Sequence, residues 1–71
     1  METKLHIGRL IKEQLLKQER SGAWLARKIN TAPSNVSKIL TKEHLDTGLL
    51  LRISKAPNYD FFAFYSHSIK Q

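Results

Sequence analysis

The residues able to do chemistry in this chain are cations and small hydrogen-bonding side chains set close together. Between Arg20 and Lys42 stand five cations, Arg20, Arg27, Lys28, Lys38 and Lys42, and no acid. The rest of the chain holds seven cations and six acids, so nearly all of the formal net charge of +6 belongs to that one stretch. Such concentration suits a polyanionic partner, nucleic acid first and an anionic membrane surface second. A solvated, solubilising surface is the plainer alternative. Covalent or metal chemistry has no comparable support. His6, His44 and His67 are scattered without metal-ligand spacing, and Gly8, Gly22 and Gly48 stand singly rather than in a phosphate-cradling loop. No serine, histidine and acid are arranged as a nucleophilic set, and a helical chain this short offers little pocket for one. The sequence therefore argues against an enzyme, a cofactor, a metal or a small-molecule ligand.

The elements that must position the basic stretch are helical, because apolar residues recur at helical spacing almost throughout. Ile7, Leu10, Ile11 and Leu15 fall on one face and predict helix 1 from about Lys4 to Gln18. Ser21 is a good N-cap for helix 2, about Gly22 to Ile29, whose inner face is Leu25 and Ile29 with small Ala26 beside them. Asn30, which tolerates the left-handed conformation, closes that helix. Pro33 suits the first position of helix 3, which runs to Leu40 or Thr41 with Val36, Ile39 and Leu40 inward. At 100° per residue, Ser34, Lys38 and Thr41 point directly away from that face, flanked by Asn35, Ser37 and Lys42. Asp46 is an N-cap candidate for helix 4, with Leu49, Leu50 and Ile53 inward, and Pro57 forces an end near Lys55. Asp60 is placed to cap a last helix, Phe61 to about Ser66, and His67 to Gln71 is expected to fray.

With 71 residues the chain makes one domain, with an ordered core expected over about 5–66. It has no cysteine, so disulfides and cysteine-rich zinc sites are excluded, and its stability must come from a packed helical core, from dimerisation, or from both. No secretory signal is visible in Met1 to Leu16. The longest apolar run, Leu49-Leu50-Leu51, is far too short to span a bilayer. A cytoplasmic protein with no membrane association is the resulting expectation.

The block Arg20 to Leu40 reads as helix, tight turn, helix, in which helix 2 braces helix 3 and lets its outer face project. Such a unit needs a small residue where the helices cross (Ala26), a residue tolerant of positive φ at the turn (Asn30), and apolar anchors beneath each helix (Leu25 and Ile29, then Val36 and Ile39). The projecting face should be polar and compact to enter a major groove. Ser34, Asn35, Ser37 and Lys38 have that character, and none is acidic. Here the chain resembles the phage-repressor and Cro-like helix-turn-helix family, often called the XRE family, along Trp24-Leu25-Ala26-Arg27-Lys28-Ile29-Asn30-Thr31-Ala32-Pro33-Ser34-Asn35-Val36-Ser37-Lys38-Ile39. That family's pattern has leucine-alanine in helix 2, glycine at the turn and an aliphatic pair in helix 3; Leu25, Ala26, Val36 and Ile39 fit at the right spacing. The flanks extend the resemblance to roughly residues 5–66. The chain departs from the pattern in two places: Asn30 stands where glycine is usual, and Pro57 where leucine is frequent.

The resemblance implies a compact all-α, five-helix, lambda-repressor-like domain that binds double-stranded DNA sequence-specifically as a transcriptional regulator. Helix 3 would lie in the major groove, with Ser34, Asn35, Ser37 and Lys38 against base edges. Thr41 and Lys42 would reach the adjoining backbone. Ser21 and Gly22 would offer amides to a phosphate, and Arg20, Arg27, Lys28 and Lys42 would supply the sequence-independent attraction. Trp24 reads as packing rather than as a stacking platform. Tyr59, Phe61, Phe62, Phe64 and Tyr65 cannot all face inward on a turn and a half of helix, so the sequence predicts an exposed apolar patch and a homodimer through helix 5. The alternative function is a protein-interaction module, such as the antitoxin component of a toxin–antitoxin pair. A membrane-surface binder fits least, because no long apolar helical face opposes the basic residues.

Overall fold

Local caps set the ends of the helices, and the sequence supplies most of them. The structure, a computed structural model, describes residues 5–70. It contains α1 (Ile7–Lys17), α2 (Gly22–Lys28), α3 (Pro33–Ile39), α4 (Thr47–Lys55) and α5 (Phe62–Lys70), and no strand among the described residues. The start expected for α1 at Lys4 and the fraying expected at Gln71 lie outside the described residues.

Three caps act as expected. The Trp24 amide donates to Ser21 Oγ at 3.0 Å, the Leu49 amide to Asp46 Oδ1 at 2.8 Å, and the Phe62 amide to Asp60 Oδ1 at 3.0 Å. Each satisfies a first-turn donor that has no partner within its own helix. Pro33 opens α3, and α4 stops at Lys55. A fourth cap was not foreseen: His6 Nδ1 accepts from the Arg9 amide at 3.1 Å. Leu5 and His6 precede α1, because the Ile7 and Gly8 amides are taken by the Glu43 and Lys42 carbonyls, at 3.2 and 2.9 Å. The front of α1 is thus tied to the segment that follows α3.

The exits follow one device three times. Glu19, Asn30 and Asn58 have φ of 57°, 58° and 53°. Around each, two amides fold back on the last turn: Glu19 N on Leu16 O with Arg20 N on Leu15 O, Asn30 N on Arg27 O with Thr31 N on Ala26 O, and Asn58 N on Lys55 O with Tyr59 N on Ser54 O. This is the Schellman closure, which normally employs glycine. Asparagine tolerates the left-handed region, whereas Glu19 carries a Cβ strain on the order of 1 kcal/mol there.

Ile7, Ile11, Leu15, Leu25, Ala26, Ile29, Val36, Ile39, Leu50, Ile53 and Phe61 form the core, to which α1, α2, α3, α4 and the mouth of α5 all contribute. Leu10, Leu40 and Leu49, expected inward, are half-buried against it.

Two expectations about the C-terminal region are corrected. The last helix starts at Phe62 and runs to Lys70, past the end expected at Ser66, so residues 67–70 are helical. Nothing between Ser66 and Lys70 breaks a helix, and the Lys70 cation in the last turn favours the negative end of its dipole. The aromatics also do not form the exposed patch expected of them. Phe61 is fully buried, and Tyr59, Phe62, Phe64 and Tyr65 are half-buried against the core. They come from a loop, a helix mouth and two helix faces rather than from one. Tyr59 meets Phe61 at 4.9 Å and Phe64 at 6.3 Å between ring centres. Phe62 and Tyr65, three apart, turn instead towards a cavity of about 280 Å³ shared with His44, Leu45, Thr47 and Leu50. Among the described residues, the large apolar side chains left exposed are Leu16, Leu51 and Ile69.

Candidate nucleic-acid interface

α2 and α3 pack directly on one another. Gly22 lies on the edge of α2 near α3, where a Cβ placed on it would stand 3.4 Å from Val36 Cγ1, and Ala26, one turn further on, is buried. The small residue facing α3 is Gly22, while Ala26, expected at the crossing, is buried in the core. Asn30 supplies the positive φ expected at the turn. Leu25, Ile29, Val36 and Ile39 anchor the pair from below, all buried.

Above those anchors the face of α3 is open. Ser34, Asn35, Ser37 and Lys38 are all exposed, as are Thr41 and Lys42 just beyond the helix. Two of these side chains are partly committed. Asn35 Nδ2 donates to Thr31 Oγ1 at 2.9 Å, which leaves its carbonyl oxygen and second N–H free and fixes its direction. The Thr41 hydroxyl donates to the Lys38 carbonyl at 2.7 Å and keeps its acceptor capacity. The surface is therefore short, polar, free of acid, and able both to donate and to accept.

The remaining basic residues divide between two sides of α2. Arg27 is exposed, and Ser21 and Gly22 occupy the mouth of the helix, with the Ser21 hydroxyl engaged by the Trp24 amide. Arg20 and Lys28 instead gather about Trp24. The Arg20 guanidinium carbon lies 4.0 Å from the centre of the indole ring, and Lys28 Nζ lies 5.8 Å from it. Trp24 is half-buried and packs against the core, as expected, while its ring also holds two cations. Tyr59, Phe61, Phe62, Phe64 and Tyr65 lie on α5 and its approach, among the core and the α4 side rather than with the basic stretch.

Three residues that position this surface were not singled out from the sequence for that role. Gly8 meets the end of α3 so closely that a Cβ there would stand 2.5 Å from the Leu40 carbonyl oxygen. An isolated glycine inside a helical pattern was the available signal. Arg52, on α4, donates to the Ile29 carbonyl at the close of α2, where a cation suits both the unpaired carbonyl and the helix dipole. Glu19 shapes the approach to α2, and nothing in its residue type announces this. Among the described residues, no group of three or more histidines and acids is gathered to hold a metal ion, and no helix is long and apolar enough to cross a membrane.

No protein-family model matches the chain, and no curated protein or solved structure matches it.

Proposed function

We propose that this chain binds double-stranded DNA sequence-specifically through α3, as a transcriptional regulator of the Cro-like helix-turn-helix kind. The observation that carries the reading is the acid-free, exposed row Ser34, Asn35, Ser37 and Lys38 on a helix packed against α2. A major groove admits one α-helix, and these side chains match base-edge donors and acceptors: lysine to guanine, asparagine to adenine, and serine to either partner type. Asn35 is already oriented by Thr31, which lowers the entropy lost on pairing. Arg27, Thr41 and Lys42, with the amides of Ser21 and Gly22, are the contacts proposed to the phosphates. Arg20 and Lys28 are left out of this set because they are drawn to Trp24.

The test is fluorescence anisotropy of labelled duplex, first of random sequence at two salt concentrations and then of a selected site. Affinity should fall steeply with salt, because cation–phosphate contacts release counterions. Lys38→Ala should weaken binding to a selected site by about 1–3 kcal/mol and relax the preference at one base position. Unchanged preference would confine Lys38 to phosphate contact, and absence of binding at low salt would remove the DNA reading.

A homodimer through α5 belongs to the same proposal. It is supported by Ile69, 83% exposed at the end of α5, and by Leu51 exposed on α4. A two-fold dimer would require half-sites about one DNA turn apart.

A further inference from the structure

The face of α2 turned away from α3 carries its own concentration of positive charge, which reading α3 against DNA does not use. Gly22 marks the edge of α2 that meets α3, and Ala26, one turn on, is buried on the same edge. Trp24 and Lys28 each come two residues later, 200° around a helix that turns 100° per residue, and so lie on the opposite edge. Arg20 joins them over the indole ring. The same edge leads into a cleft of about 470 Å³ lined by Lys28, Ile29, Asn30, Arg52, Lys55 and Ala56. Three of those six are cations and none is an acid. Gln18 Nε2 donates to the Pro57 carbonyl at 3.4 Å, which brings the exit of α1, just before Arg20, against the exit of α4, just after Lys55. Four cations from three parts of the chain thus border one surface, with half-buried Trp24 and Ala56 as apolar ground between them.

We propose that this surface docks an acidic segment of a partner protein, one in which carboxylates alternate with apolar side chains. Charge complementarity selects the acidic character. Two observations favour a peptide over a second stretch of nucleic acid. A base would bind here by stacking on Trp24, but Arg20 already lies 4.0 Å over that ring. The cleft also offers half-buried Ala56 and the aliphatic stems of Lys28 and Lys55 to its occupant, which aliphatic or aromatic side chains would cover and a sugar-phosphate backbone would not. Arg52 is held in place by the Ile29 carbonyl, so one of the cations is preorganised. The nearest acids in sequence, Glu19 and Asp60, are outside the lining of the cleft. The inference does not depend on α3 binding DNA, although the two together would let one small domain hold a duplex and a protein on opposite edges of α2.

The experiment uses the full chain and a short fluorescein-labelled peptide in which Asp and Glu alternate with Leu and Phe. A counterpart with Asn and Gln in place of the acids serves as the reference, and anisotropy reads both. The acidic peptide should bind and its neutral counterpart should not. The paired substitution Lys28→Gln and Lys55→Gln, checked for folding by circular dichroism, should weaken the acidic peptide by about tenfold, the yield of two partly exposed charge contacts. Lys38→Ala should leave it unchanged, and saturating duplex should not displace it. No binding at low salt, equal binding of the neutral peptide, an unaffected double variant, or displacement by duplex would each overturn the proposal. Failure of duplex to bind while the acidic peptide binds would remove the DNA reading and leave this one standing.

Discussion

Gly8 shows how much can rest on a missing methyl group. Its amide donates to the Lys42 carbonyl at 2.9 Å while its Cα lies against the backbone at the end of α3, leaving no room for a Cβ. The obstruction is main chain rather than the tip of a flexible side chain, so α1 or the end of α3 would have to move. In an exposed helix, glycine to alanine would gain roughly 0.5–1 kcal/mol. Here steric overlap reverses the sign, and Gly8→Ala should lose at least about 2 kcal/mol. A urea titration followed by circular dichroism reads the effect. A gain in stability would mean that α1 does not approach α3 this closely. Because Thr41 and Lys42 sit at that junction, the same substitution should also disturb the proposed phosphate contacts beside α3.

At the scale of elements, what was legible in the sequence was what is local. Ser21, Asp46 and Asp60 cap from two or three residues ahead of the amides they serve, Asn30 turns its own backbone, and Pro33 fixes its own φ. All were readable because cause and effect are neighbours in the chain. The face of α3 was readable for the same reason, since helical geometry alone assigns Ser34, Asn35, Ser37 and Lys38 outward once Val36 and Ile39 are inward. Gly8 against Leu40, Arg52 on Ile29 and the division of cations between two edges of α2 were not, because each depends on an approach between distant segments. The extension of α5 to Lys70 escaped for another reason: no packing drives it, as exposed Ile69 testifies, and only the absence of a breaker permits it. α3 has one weak local feature. Its N-cap is Ala32, in an extended conformation suited to capping (φ −75°, ψ 146°) but with no side-chain acceptor. Ala32→Ser should therefore stabilise the domain by about 1 kcal/mol. That should appear as a higher urea midpoint with an unchanged slope. A changed slope would point instead to an altered denatured state.

At the scale of the molecule, the question is whether α5 belongs to the domain or to an interface, and two side chains on it separate the answers. A 71-residue chain is expected to hold about 4–10 kcal/mol of stability. Phe61, at the mouth of α5, is fully buried in a core shared by the other four helices. Removing a buried phenyl ring costs about 3–5 kcal/mol, so Phe61→Ala should leave the chain largely unfolded near room temperature. Ile69, two turns further on, is 83% exposed and lies outside the buried core. Ile69→Glu should change the stability of the monomer by no more than about 0.5 kcal/mol. If α5 pairs with a second copy, that substitution should instead convert a dimer to a folded monomer in sedimentation equilibrium. Dimers that persist in the Ile69→Glu variant would exclude the end of α5 as the contact. Unfolding of the same variant would show that the last turns support the fold. A dimer lost without loss of fold would give the two-fold axis that a paired DNA site requires, and duplex affinity should then fall more for a two-half-site duplex than for a single half-site.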